Sequence, residues 1–356
     1  MDKALTSKYG PCIAGGAIGL IAVLLSHFGN PGNMGICIAC FTRDISGALG
    51  LHRAEIVQYL RPEIPGFLLG SFISALVFGE YHPRGGASPI IKFELGLFAM
   101  FGAAVFLGCP WRAFLRVAGG DWNALYGVGG LIVGVFVGIV FIRRGFSLGA
   151  EISKSYGFIL PLSAVILIAL RFFAPKLWED GPVFFSEIGP GAQHAPMLMS
   201  LFAGVIIGWL VQRSRFCAVS AFRDFIMMGN SQLLKGIISF TVAAFAANYA
   251  LGHFKPGFEE QSLAHSDQLW NFLAMVLSGL ALTLAGGCPG RQLAMAGEGD
   301  LDSGMFMLGI LIGGGIVHTF SAISTPAGVA PMGRYIILAG LLFCGFIGTA
   351  MRDWSN

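Results

Sequence analysis

The stretch FLGCPWRAFLRVAGGD, residues 106–121, places a cysteine, a proline, two arginines and an aspartate at the end of a long apolar run. LAGGCPGRQLAMAGEGD, residues 284–300, repeats the Gly, Cys, Pro, Arg and Asp in register. Cys109 and Cys288 are 179 positions apart (288−109), as are Asp121 and Asp300 (300−121). Proline is favoured at the first helical position, so Pro110 and Pro289 are expected to start short helices capped by Cys109 and Cys288. Gly119 and Gly120, and likewise Gly297 and Gly299, punctuate those helices after about two turns. A helix N-terminus offers unpaired N–H groups and a partial positive charge, which bind anions and favour a thiolate. Arg112 and Arg291 each follow the cysteine by three residues and share its face. Thiol, amides and guanidinium then converge on one spot.

A second pair of motifs reads ICIACFTRD at 36–44 and FCAVSAFRD at 216–224. The shared residues are Cys37 with Cys217, Arg43 with Arg223 and Asp44 with Asp224, the cysteines and the aspartates each 180 apart (217−37, 224−44). In a helix, Cys37 and Asp44 face the same way. Each arginine has two candidate partners, the neighbouring aspartate or an acid of the opposite half. Cys37 and Cys40 form a CxxC, but Ser220 replaces the second cysteine in the other copy, and no second cysteine pair supplies four zinc ligands. No metal and no cofactor is expected. Cys12 and Cys344 fall in apolar helix sequence, where a cysteine packs as a small hydrophobe.

The elements that position these motifs follow from composition. Of 356 residues, 55% are hydrophobic and 12% charged, and 52 are glycine. Repeated apolar runs between short charged loops are what a bilayer of roughly 30 Å hydrocarbon demands of helices, and glycine lets such helices approach closely. Spans are expected at 12–28, 64–79, 90–108, 123–142 and 157–174, then at 197–212, 233–251, 268–286, 304–322 and 333–350. The fold class is therefore an all-α polytopic membrane protein with about 9–10 transmembrane helices plus short half-helices. The two lists match in order, so residues 1–180 form a first repeat and 181–356 a second. Five spans is an odd number, so the second repeat enters the membrane inverted, an arrangement that places binding sites near the midplane between the halves. Cys37 and Cys109 then approach from one side of the membrane, and Cys217 and Cys288 from the other. Lys and Arg counts favour a cytoplasmic N-terminal side. A net charge of +3, spread over loops, argues against a nucleic-acid partner. Because an arginine at membrane depth costs on the order of 3 kcal/mol, Arg112 and Arg291 are expected to line a polar cavity or pair with an acid, Asp121 and Asp300 being the candidates.

These motifs resemble the YeeE/YedE family of bacterial inner-membrane proteins: GCPxR twice, each preceded by CxxxxxRD. The stretches GNMGICIACFTRDISGALGLH and GDWNALYG are similar to its selenium-metabolism branch. The similarity spans nearly the whole chain. It implies an hourglass-like permease of the inner membrane in which thiosulfate, or a related small sulfur or selenium anion, passes along a line of cysteines. By motif, Cys109 and Cys288 match the family's cysteines on the two sides, Cys37 matches the one near the entrance, and Cys217 lies at the corresponding place in the second half. Cys40 is a departure from the family pattern.

The chemistry suits such a substrate. Thiosulfate and its selenium analogues carry a soft atom beside oxyanion charge; thiols donate weakly to the soft end while amides and arginine take the charge. Weak successive sites let an ion enter and leave. The expected partners are this anion, the lipid bilayer and, on an alternative reading, a cytosolic sulfur or selenium acceptor. In that alternative a cysteine thiolate attacks a sulfane sulfur and holds it as a persulfide. A third reading, a passive membrane scaffold, predicts that changes to these cysteines do little. No nucleotide-binding motif is present, which argues against ATP coupling within the chain.

Overall fold

A computed structural model describes residues 2–177 and 183–352. Each of the ten expected apolar runs is a helix, and the protein is an all-α polytopic membrane protein. In chain order the helices are α1 (Asp2–Leu5), α2 (Gly10–His27), α3 (Ile38–Ala48), α4 (Glu63–Val77), α5 (Pro89–Phe106), α6 (Pro110–Ala118), α7 (Asn123–Arg143) and α8 (Ile159–Leu177). A second set follows: α9 (Gly189–Ala192), α10 (Met197–Ser214), α11 (Ala218–Met228), α12 (Gln232–Ala250), α13 (Gln268–Ala285), α14 (Pro289–Gly297), α15 (Leu301–Thr319) and α16 (Pro331–Ala350). Among the described residues eight helices are long and apolar enough to cross a membrane, and Glu63–Val77 and Ile159–Ala174 are shorter apolar helices. The boundary expected between residues 180 and 181 lies outside the described residues.

The long helices pair across the two sets. α2 packs along α12 and α4 along α10, while α5 packs along α15 and α7 along α13. Glycine makes these contacts close. At Gly70 a Cβ would lie 2.0 Å from the carbonyl oxygen of Val205, and at Gly130 it would lie 2.1 Å from that of Phe272. No side chain fits there, so backbone meets backbone, as packing in lipid favours. The correspondence stops at the last helix of each set: α8 rests on α4, whereas α16 rests on α13 and α5.

The short helices lie inside this frame, α6 against α12 and α14 against α4, while α3 packs on α15 and α11 on α7 and α12. Arg84–Gly85 and Ile152–Ser153 form a two-stranded antiparallel ribbon, β1 and β2, which the apolar pattern does not anticipate because its pairing is made between two loops.

Candidate functional site

Four cysteines of the duplicated motifs stand at the same kind of place. Cys37 is the N-cap of α3, Cys109 of α6, Cys217 of α11 and Cys288 of α14, all four with extended backbone. At Cys109 and Cys288 the cause is local: the following proline disfavours a helical conformation at the cysteine and starts the helix itself. At Cys37 and Cys217 no proline follows. There the first-turn N–H groups have no partner within the helix itself, and the Cys217 Sγ accepts from the Ser220 N–H at 3.4 Å.

The caps meet in pairs. Cys109 N–H donates to Cys37 Sγ at 3.5 Å, and the two sulfurs are 3.6 Å apart. Cys288 N–H donates to Cys217 Sγ at 3.3 Å. Cys40 joins the first pair, its sulfur 2.9 Å from Cys37 Sγ. All five thiols are free and buried. Each pair thus points two helix N-termini, with their partial positive charge, at one small volume lined with sulfur.

The arginines correct one expectation. Arg112 does not pair with Asp121, nor Arg291 with Asp300. Arg112 instead hydrogen-bonds the carbonyls of Leu107, Asn33 (3.3 Å) and Leu263 (3.2 Å), and its Nη1 lies 3.8 Å from Cys40 Sγ. A planar fork of donors can satisfy several carbonyls without a counter-charge, and its positive charge then stays available beside the thiols. Arg291 pairs with Glu298 at 3.0 Å, seven residues on and two turns away. Asp121 is taken by Arg116 at 2.6 Å, both side chains fully buried. Asp300 caps α15, accepting from the Asp302 and Ser303 N–H groups, with Arg84 3.7 Å away.

In the RD motifs the local pairing is the one observed. Arg43 holds Asp44 at 2.7 Å and Arg223 holds Asp224 at 3.0 Å. Asp44 has a second partner, the fully buried Arg61 at 2.8 Å, whose other nitrogens donate to the carbonyls of Gln193 and Pro190. Arg61, Arg116 and Glu298 were not singled out by the motifs. Arg116 has no counterpart, since Met295 stands 179 residues on (295−116); only the seven-residue spacing of Arg291 and Glu298 was a usable signal. Glu151, Asp300 and Asp302 bring carboxylate oxygens within 4.8 Å of one another. Those oxygens are engaged by Arg84 and by the Gly86, Ala87, Asp302 and Ser303 N–H groups.

Around Arg291 lies a network of ion pairs. Glu80 accepts from Arg213 at 2.8 Å, Arg215 at 2.7 Å and Gln212 at 2.7 Å, and Arg215 also reaches Glu298. Burial pushes the Glu80 carboxyl up, but the Arg213 and Gln212 hydrogen bonds and the Arg215 charge more than offset this and hold it below its ordinary value. A depressed carboxyl contributes stability that is present above its unfolded value, about 4.3, and is lost as pH falls through the folded value. The melting temperature of the detergent-solubilised protein is therefore expected to drop between pH ~5 and ~3, with a shallower slope in Glu80→Gln. Equal slopes in thermal unfolding of the two proteins would refute this assignment.

Comparison with known proteins agrees with these motifs. Residues 213–335, which hold Cys217, Arg223, Asp224, Cys288, Arg291 and Asp300, match the family described as Sulphur transport. The chain is 27% identical over 107 residues to the thiosulfate transporter TsuA of Escherichia coli (strain K12), covering 30% of each protein. It is also 27% identical over 181 residues to the probable transporter YedE of the same strain, covering 46% of this chain and 44% of the relative. The chain thus spans less than half the length of either relative in these matches.

Proposed function

We propose, from the premise that this chain belongs to the YeeE/YedE family of sulphur transport proteins, that it is a multi-pass permease of the bacterial inner membrane for a small sulfur-containing anion. The observation that carries this reading is the convergence of two helix N-termini on each buried thiol pair, Cys37 with Cys109 and Cys217 with Cys288. An anion is held there by backbone N–H groups and helix dipoles, and its polarizable end contacts sulfur. On the first pair, the Arg112 charge adds to this attraction. On the second, the Arg291 charge is partly offset by Glu298, which it shares with Arg215, so the hold differs from that of the first pair. Two sites of unequal and moderate strength favour passage over retention.

Thiosulfate is the substrate this geometry fits best, having oxyanion charge at one end and a soft sulfur at the other. A selenium analogue of the same shape fits by the same argument. The reading takes the two helix sets as inverted halves, which puts one thiol pair toward each side of the membrane.

The experiment is uptake into proteoliposomes of thiosulfate labelled separately on its two sulfurs. Both labels accumulating together in the lumen at equal rates supports a permease. Outer-sulfur label remaining on the protein, released by a thiol reductant, with none in the lumen, would overturn it in favour of a persulfide carrier.

A further inference from the structure

Between the two thiol pairs stands a side chain that the duplicated motifs do not share. Trp111 follows Cys109 by two residues; the residue two after Cys288 is Gly290, 179 positions on (290−111). The structure brings these two together. A Cβ at Gly290 would lie 2.7 Å from Trp111 Cζ2, so the indole rests directly on the Gly290 backbone. Around it stand Phe67 of α4 and Phe240 of α12, each with its ring centroid 6.2 Å from that of Trp111, and Phe216, which precedes Cys217, at 5.6 Å. Phe67 and Phe240 hold matching places in their helices: a Cβ on Gly208 would meet the Phe67 carbonyl oxygen at 2.0 Å, and one on Gly19 would meet that of Phe240 at 2.3 Å. Trp111 thus sits midway between equivalent points of the two helix sets, with one thiol pair reached through its own helix and the other through Gly290.

The indole is 1% exposed, and its Nε1–H has no hydrogen-bond acceptor among the described residues. Tryptophan is normally placed so that this donor is satisfied when buried, and an unmatched buried donor destabilises the folded state. An aromatic ring without an N–H would bury there without that penalty. Three aromatic rings pack around the indole, and rings supply no strong acceptor that would compete with an anion for its N–H. The asymmetry between the two motifs also has a steric logic: two tryptophans could not both occupy this space, while two glycines would leave it open.

We propose that Trp111 is the gate and selectivity element between the two thiol pairs. Its ring closes the throat at rest, and its Nε1–H is the donor that an anion meets in crossing from Cys37 and Cys109 to Cys217 and Cys288. One donor within an aromatic collar suits an anion that presents a single oxygen to the N–H and lays a polarizable sulfur against the rings. It disfavours sulfate, which carries a fourth hard, strongly hydrated oxygen where thiosulfate has a soft sulfur to lay against the rings. This inference rests on the permease reading above.

The test compares labelled thiosulfate and labelled sulfate uptake into proteoliposomes for wild type, Trp111→Phe, Trp111→Gly and a protein carrying benzothienylalanine at position 111, which keeps the indole shape and lacks the N–H. Thiosulfate uptake is expected to fall by about 10-fold in the Phe and benzothienyl proteins, with sulfate still excluded. In Trp111→Gly sulfate should enter at a rate within about 10-fold of thiosulfate. Wild-type thiosulfate rates in both proteins that lack the N–H, or continued exclusion of sulfate by a folded, thiosulfate-transporting Trp111→Gly, would overturn the inference. If Trp111→Gly does not fold, the benzothienyl protein decides. Failure of the wild type to accumulate thiosulfate would instead overturn the permease reading itself.

Discussion

Alanine at both Cys109 and Cys288 is expected to lower thiosulfate uptake by at least about 100-fold, while serine at both positions keeps it within about 10-fold of wild type. Each cysteine caps a short helix whose N-terminus faces the other thiol of its pair. On the permease reading, alanine removes the group that would touch the soft end of the anion and leaves the N–H donors and the proline start intact, so the helix still forms. A hydrogen bond to a charged partner contributes ~1.5–3 kcal/mol, which is roughly one to two powers of ten for each site. Serine retains a donor on a side chain of similar shape. In a persulfide mechanism serine is as inactive as alanine, because a hydroxyl cannot take up a sulfane sulfur. Uptake rates of the two double variants, measured beside wild type in the same vesicles, separate these outcomes.

Replacing Asp44 by asparagine is expected to destabilise the protein by ~3–5 kcal/mol, and the same change at Asp224 by only ~0–1 kcal/mol. The two aspartates close the same RD motif, yet their surroundings differ. Asp44 is fully buried and answers two guanidinium groups, Arg43 and Arg61, the latter with no exposure at all. Asparagine would leave two positive charges in the interior without a counter-charge, the case in which breaking a buried ion pair is most damaging. Asp224 answers one guanidinium rather than two, and it and Arg223 keep 17% and 26% of their side-chain surface open, so the loss is smaller. Thermal and denaturant unfolding of both variants in one detergent checks the contrast; equal losses would contradict it.

How far the sequence was legible depended on whether the determinant was local. The helices were legible because each is a continuous apolar run, and the thiol positions because they are duplicated. Proline at 110 and 289 made the starts of α6 and α14 visible before any tertiary contact was known. The starts of α3 and α11 were less visible, since neither Cys37 nor Cys217 is followed by a proline. The arginine partners are less legible for a different reason. Asp121 and Asp300 are candidates because they recur, but Arg112 is satisfied by carbonyls from residues 33, 107 and 263, which only the folded chain brings together. The roles of Arg61 and Arg116 are not legible from duplication, because each is unique to one half. Trp111 lies inside the motif, but the contact of its ring with Gly290 exists only in the folded chain.

The cross-set helix pairs have a mechanical consequence. α2 with α12, α4 with α10, α5 with α15 and α7 with α13 join each set to the other. Where Gly70 meets Val205 and Gly130 meets Phe272, the backbones are already as close as they can come. The two sets are dovetailed like the boards of a box corner, with no flat plane along which one could slide or tilt past the other. Swinging one half against the other would require all four joints to part at once. On the permease reading proposed above, passage would then fall to the small parts inside the box, the capped half-helices and the rings between them, while the outer walls stay still.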